Sequence, residues 1–156
     1  MNILSSIELP RLNLPQPAAS VLISPWLDTS LSIYKAGGNP TAVTDYISTS
    51  NTSVPAMFRL FLGETDGSDP AVNPLHREPD EIRFLNPQLI LTGGAERAML
   101  DGRHWAALCS RAGVKHELVL EWGQLHIYAM GSAWVDPSVR LKTDHRIVTW
   151  IEDILA

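Results

Sequence analysis

Two residues in this sequence have types and positions suited to proton transfer. His126 lies in Gly123-Gln124-Leu125-His126-Ile127-Tyr128, just past an apolar run and between a glycine turn and apolar or aromatic neighbours. An imidazole held partly dry there can serve as a general base near neutral pH. Glu96 follows Gly93-Gly94-Ala95 at the end of another apolar run. Adjacent parallel strands would bring both residues to one sheet edge. A carboxylate beside an imidazole fixes its tautomer and stabilises the imidazolium during proton transfer. Taken singly, the histidine also fits an ordinary hydrogen-bonded loop residue. The glutamate likewise fits a helix-start carboxylate favoured by the helix dipole. Asp101 is a further carboxylate one turn along, expected to cap the helix or face solvent.

The elements that would position these residues follow from hydrophobic pattern. Val21 to Ser24, Gln88 to Thr92 and His116 to Glu121 are short apolar runs. Runs of this kind without alternation read as strands buried on both faces of a parallel sheet. Glu96 to Ala112 has helical character with Gly113 as its cap, and Lys142 to Leu155 is amphipathic at helical spacing. Asn2 to Leu9 reads as a short helix, Thr41 to Ser50 as a weak one. Pro55 to Leu62 is a better one, opened by proline and closed by Gly63. The rest of residues 29–74, rich in Ser, Thr, Asn, Gly and Pro, reads as irregular excursion. Strands alternating with helices predict an α/β fold, with chemistry on the loops leaving the strand C-termini.

Composition removes several classes of function. The chain has 156 residues, 45% of them hydrophobic, enough for one domain with a real core. Its net charge is -5 and its 12 basic residues are scattered, which argues against nucleic acid or an anionic membrane surface. The single cysteine, Cys109, cannot form an internal disulfide, and a reduced cytoplasmic setting is expected. No apolar run approaches a bilayer span, and Met1 to Ser6 lacks the features of a signal peptide. The five histidines show no H-E-x-x-H and no cysteine partner, and no phosphate-cradling glycine loop occurs. Neither metal nor cofactor is expected.

Three segments in register carry a family resemblance. Leu22-Ile23-Ser24-Pro25-Trp26-Leu27-Asp28, Thr92-Gly93-Gly94-Ala95-Glu96 and Gly123-Gln124-Leu125-His126-Ile127-Tyr128 resemble motifs of hormone-sensitive-lipase-like α/β-hydrolases. Asn73-Pro74-Leu75 is similar to the segment leading into that family's penultimate strand. The resemblance extends from about Leu12 onward. It implies a partial α/β-hydrolase fold of about three mostly parallel strands flanked by helices. Residues 1–156 would then be the C-terminal portion of a single domain. It also implies carboxylic-ester hydrolysis, with Glu96 as triad acid, His126 as triad histidine and Asp28 in a structural role.

The family's nucleophile sits in a G-x-S-x-G elbow, and its oxyanion glycine loop lies earlier still. By resemblance both are expected before Met1. Within the chain, Gly63-Glu64-Thr65-Asp66-Gly67 has the glycines but a threonine centre and reads as a turn. Cys109 reads as a buried small hydrophobe, and Ser5 and Ser6 lack flanking glycines. The expectation is an esterase-like chain with an incomplete triad, inactive alone, taking a small-molecule ester once completed. The alternative is a non-catalytic truncated remnant or interaction module. In either case Val21 to Ser24 is expected to be an open sheet edge that promotes self-association.

Overall fold

The computed structural model describes residues 2–47, 53–131 and 133–156. Three strands form one parallel sheet in the order β1-β2-β3: β1 (Ser20–Ile23), β2 (Gln88–Gly93) and β3 (His116–Glu121). Helices α1 (Asn2–Glu8), α2 (Ser32–Lys35), α3 (Ser53–Leu62), α4 (Pro79–Ile82), α5 (Met99–Ala112) and α6 (Pro137–Leu155) complete the described elements, with short 3-10 turns between them.

Register explains why the strands carry unbroken apolar runs. Leu22 pairs with Ile90 and Ile90 with Leu118, so these side chains share one face. There they pack with Ile3, Ile7, Trp105, Leu108 and Cys109 of α1 and α5. Ile23, Leu91 and Val119 form the next row and point the other way, onto Val139, Ile147 and Trp150 of α6. Both faces are covered, giving three layers. β2 is the central strand and is buried throughout.

The helix ends follow local chemistry, and two differ from the sequence reading. α6 begins at Pro137 rather than near Lys142, because the Asp136 side chain accepts the Ser138 N–H at 2.8 Å and proline occupies the first turn. α5 begins at Met99 rather than Glu96, since Glu96 to Ala98 form a turn closing the β2 loop. Gly113, at φ 70°, ends it as expected. The weak helix over Thr41 to Ser50 is not formed: Thr41 to Ile47 run through turns, and residues 48–50 lie outside the described residues. Asn39 and Asp45 hold this segment by side-chain bonds that compete with a helical ladder.

β1 pairs on one side only among the described residues. Beside it runs an apolar cleft of about 420 Å³, lined in part by Ile3, Leu4, Val21, Ile23, Trp26 and Phe61. No described helix is long and apolar enough to cross a membrane.

Candidate active site

The loops leaving the C-terminal ends of all three strands converge. The β2 and β3 loops are drawn together by backbone bonds from Gly94 N to Glu121 O at 2.8 Å and from Ala95 N to Gln124 O at 3.0 Å. This close approach is why two glycines stand there. A methyl group on Gly93 would lie 2.3 Å from the Gln124 carbonyl oxygen, and one on Gly94 2.6 Å from the Trp122 ring. Any side chain would force the two loops apart.

The approach delivers Glu96 to His126. Nδ1 of His126 lies 3.3 Å from Oε2 of Glu96, with the glutamate side chain fully buried and the imidazole 13% exposed. The contact falls short of hydrogen-bond geometry, and Oε2 has no other partner. Unliganded sites commonly show such loose contacts, which tighten when a substrate binds. The other carboxylate oxygen, Oε1, accepts the hydroxyl of Thr92, also fully buried at the end of β2. One oxygen is thus anchored and the other is left facing the imidazole. An Nδ1–H directed at the carboxylate leaves Nε2 as the basic nitrogen on the opposite side of the ring.

The β1 loop supports the histidine from beneath. Ser24 Oγ accepts the N–H of Ile127 at 2.8 Å, while its own N–H donates to Leu91 O at 2.7 Å. Ser24 and Ile127 both adopt left-handed backbone conformations, at φ 46° and 54°. Such conformations in these residue types cost on the order of 1 kcal/mol each and persist where surrounding contacts fix them. The Trp26 ring stands edge-on to the imidazole at 6.1 Å, backed by Tyr34 and Phe58. On the open side Tyr46 packs at 6.3 Å and its hydroxyl donates to the His126 carbonyl at 3.0 Å.

Asp28 ties the loop after β1 together through hydrogen bonds. Its carboxylate accepts from Ser30, Ser32, the Ile33 N–H and the Asn73 amide. Burial alone would raise its pKa, but these hydrogen bonds outweigh burial and hold it below the ordinary range.

Asp101 departs from expectation. It neither caps the helix nor faces solvent: it is fully buried, and Oδ2 accepts the N–H groups of Leu27 and Asp28 at 2.7 and 2.9 Å. With α5 starting at Met99, Asp101 falls in the first turn facing the β1 loop, whose two N–H groups require an acceptor. Burial, reinforced by the charges of Asp28 and Glu96, pushes its pKa up to about 7 against the pull of those N–H groups.

The residues set aside above as substitute nucleophiles stand elsewhere in the fold. Thr65 is exposed in a turn after α3, Cys109 is buried in the α5 core, and Ser5 and Ser6 lie in α1. Burial pushes the Cys109 thiol up to about 12, which makes it a poor nucleophile. Among the described residues no hydroxyl or thiol hydrogen-bonds to the His126 ring, and no cluster of metal-ligating side chains occurs. Sequence reasoning missed Ser24 and Thr92 as supports. Both stand in the quoted motifs, but short polar residues at strand ends carry no signal of which loop they will hold.

The sequence pattern of the alpha/beta hydrolase fold family matches residues 3–130. The chain belongs to that family. Among solved structures, this α/β-hydrolase is similar to the HSL homologue EstE7 from a metagenome library, with 24% identity and a TM-score of 0.84 over 99% of this chain and 51% of that one. It is also similar to an esterase from the bacterial hormone-sensitive lipase family, with 24% identity and a TM-score of 0.81, covering 99% of this chain and 49% of that one. An esterase/lipase from an uncultured bacterium aligns at 21% identity with a TM-score of 0.79, again over 99% of this chain and 49% of that one. The α/β-hydrolase chain described here therefore spans about half the length of the solved structures it matches. At these identities the likeness establishes the fold. No curated protein matches the chain.

Proposed function

We propose that this chain carries the acid and the histidine of a carboxylic-ester hydrolase of the hormone-sensitive-lipase-like kind. The observation that carries the reading is the buried Glu96 carboxylate 3.3 Å from Nδ1 of the nearly buried His126 imidazole. A hormone-sensitive-lipase homologue and two esterases among the similar structures support it. In this reading Nε2 of His126 takes the proton of a nucleophilic hydroxyl as that oxygen attacks the ester carbonyl. Glu96 stabilises the resulting imidazolium, which then protonates the leaving alcohol. Water repeats the sequence on the acyl intermediate. The substrate is a small-molecule ester.

The sequence contains no G-x-S-x-G. In our reading residues 1–156 are the C-terminal portion of one domain. The serine and the oxyanion donors come from a further polypeptide segment. Without them the chain lacks both bond-making and the largest electrostatic contribution to catalysis, so alone it turns over no ester.

The test has two arms. The purified chain is assayed on short-acyl p-nitrophenyl esters, where no turnover is expected. Turnover that disappears in His126→Ala would place a nucleophile inside the chain, with Thr65 and Cys109 the first positions to substitute. The coding sequence upstream of Met1 is then read. If it carries an in-frame G-x-S-x-G, the joined protein should hydrolyse esters in a His126-dependent way. If the joined protein does not, or no elbow is encoded, a non-catalytic interaction module replaces the enzyme reading.

A further inference from the structure

The long excursion between β1 and β2 returns over the site and grips the peptide that bears the acid. Asn39, buried at 7% exposure, donates from Nδ2 to the carbonyls of Gly94 at 3.0 Å and Glu96 at 2.7 Å. Asp45 Oδ2 accepts the N–H of Arg97 at 2.7 Å. The Glu96 carbonyl and the Arg97 N–H belong to one planar peptide unit. That unit is therefore held at its oxygen by Asn39 and at its nitrogen by Asp45. Its rotation, which would swing the Glu96 side chain away from His126, is blocked from both sides.

The clamp is itself braced. Asn39 Oδ1 accepts the N–H of Thr41 at 3.1 Å, and the Thr41 hydroxyl lies within hydrogen-bond reach of both Asn39 Oδ1 and the Gly94 carbonyl. One residue past Asp45, Tyr46 reaches the His126 carbonyl. A single stretch, residues 39–46, thus touches the acid-bearing loop and the histidine-bearing loop together. Thr92 fixes only one oxygen of Glu96, and the backbone at Glu96 lies in turns before α5 rather than in a helix, with only the long local bonds from Glu96 N to Gly93 O at 3.3 Å and from Met99 N to Glu96 O at 3.4 Å. Without an external hold this peptide has no regular ladder to keep it in place.

We infer that Asn39 and Asp45 are positioning residues for the Glu96–His126 pair, acting by clamping the Glu96–Arg97 peptide. This rests on the proposed role of that pair. Neither residue hydrogen-bonds to the imidazole ring; each acts through the orientation of the acid.

The readout is the tautomer of His126, observed by two-bond proton–nitrogen spectra on the full 15N-labelled chain at a pH where the imidazoles are neutral. An Nδ1–H held toward Glu96 gives a signature that loop anchoring alone would not move. Glu96→Ala tests the pair itself and should shift His126 toward the Nε2–H form. Asn39→Ala and Asp45→Ala should reproduce that loss of the Nδ1–H signature with Glu96 still in place. Asp45→Asn keeps an oxygen to accept the Arg97 N–H and should retain the signature. If Glu96→Ala shifts the tautomer while Asn39→Ala and Asp45→Ala do not, the clamp is overturned and the pair stands. If Glu96→Ala changes nothing, the pair reading falls and the clamp with it. If Asn39→Ala fails to fold, the contrast between Asp45→Ala and Asp45→Asn decides.

Discussion

Replacing Asp101 by asparagine isolates the linkage between a buried carboxyl and stability. In the folded chain Asp101 titrates at about 7, against an ordinary 3.8. Burial is the main cause, with the neighbouring charges of Asp28 and Glu96 acting in the same direction and the Leu27 and Asp28 N–H groups opposing. Between those two pH values the folded chain holds a proton that the unfolded chain has released. The stability tied to this group is therefore complete below about pH 4 and is lost as pH rises toward 7. Each pH unit of linkage is worth about 1.4 kcal/mol, so the window carries about 4 kcal/mol. Asparagine mimics the protonated acid, keeping an oxygen for the two N–H groups and staying neutral throughout. Asp28, held below its ordinary range, has the opposite dependence, losing its contribution only as pH falls through the acid range. Urea unfolding followed by fluorescence of the five tryptophans, from pH 5 to pH 8, gives the stabilities of both proteins. Subtracting one from the other removes the histidines. Asp101→Asn should gain on the wild type as pH rises to about 7 and then level off. A difference that stays flat across this range would mean that Asp101 is already ionised in the folded chain, and would refute the reasoning.

Three other outcomes follow from the same contacts. Gly93→Ala should separate the β2 and β3 loops and abolish the Glu96–His126 contact, since the added carbon meets the Gln124 carbonyl at 2.3 Å; a variant crystal structure that keeps the 3.3 Å approach would contradict this. Ser24→Ala removes the acceptor of the Ile127 N–H and should cost about 1–2 kcal/mol, with faster hydrogen exchange at Ile127 as its local mark. The unpaired side of β1, beside its apolar cleft, should drive concentration-dependent self-association; sedimentation showing a monomer at every concentration, with Val21 and Ile23 amides protected, would count against it.

The sequence by itself determined the alternation of strands and helices, because apolar runs of strand length and amphipathic stretches reflect which faces must leave water. It also determined the neighbourhood of Glu96 and His126, since two strand-end loops of a parallel sheet must emerge on one edge. Gly93 and Gly94 were visible at the end of an apolar run, but not as the reason the loops can touch, which depends on what stands opposite them. Asp101 was misread for a related cause. A carboxylate near a helix start looks solvent-facing until the helix boundary and the β1 loop are known, and its true partners lie more than 70 residues away. Asn39 and Asp45 were invisible within a polar excursion, because side chains that bond to distant backbone leave no periodic trace. Local pattern fixes what a segment can form. Which polar groups meet across the chain is decided only when the core on both faces of the sheet closes and leaves those groups no water to bond with.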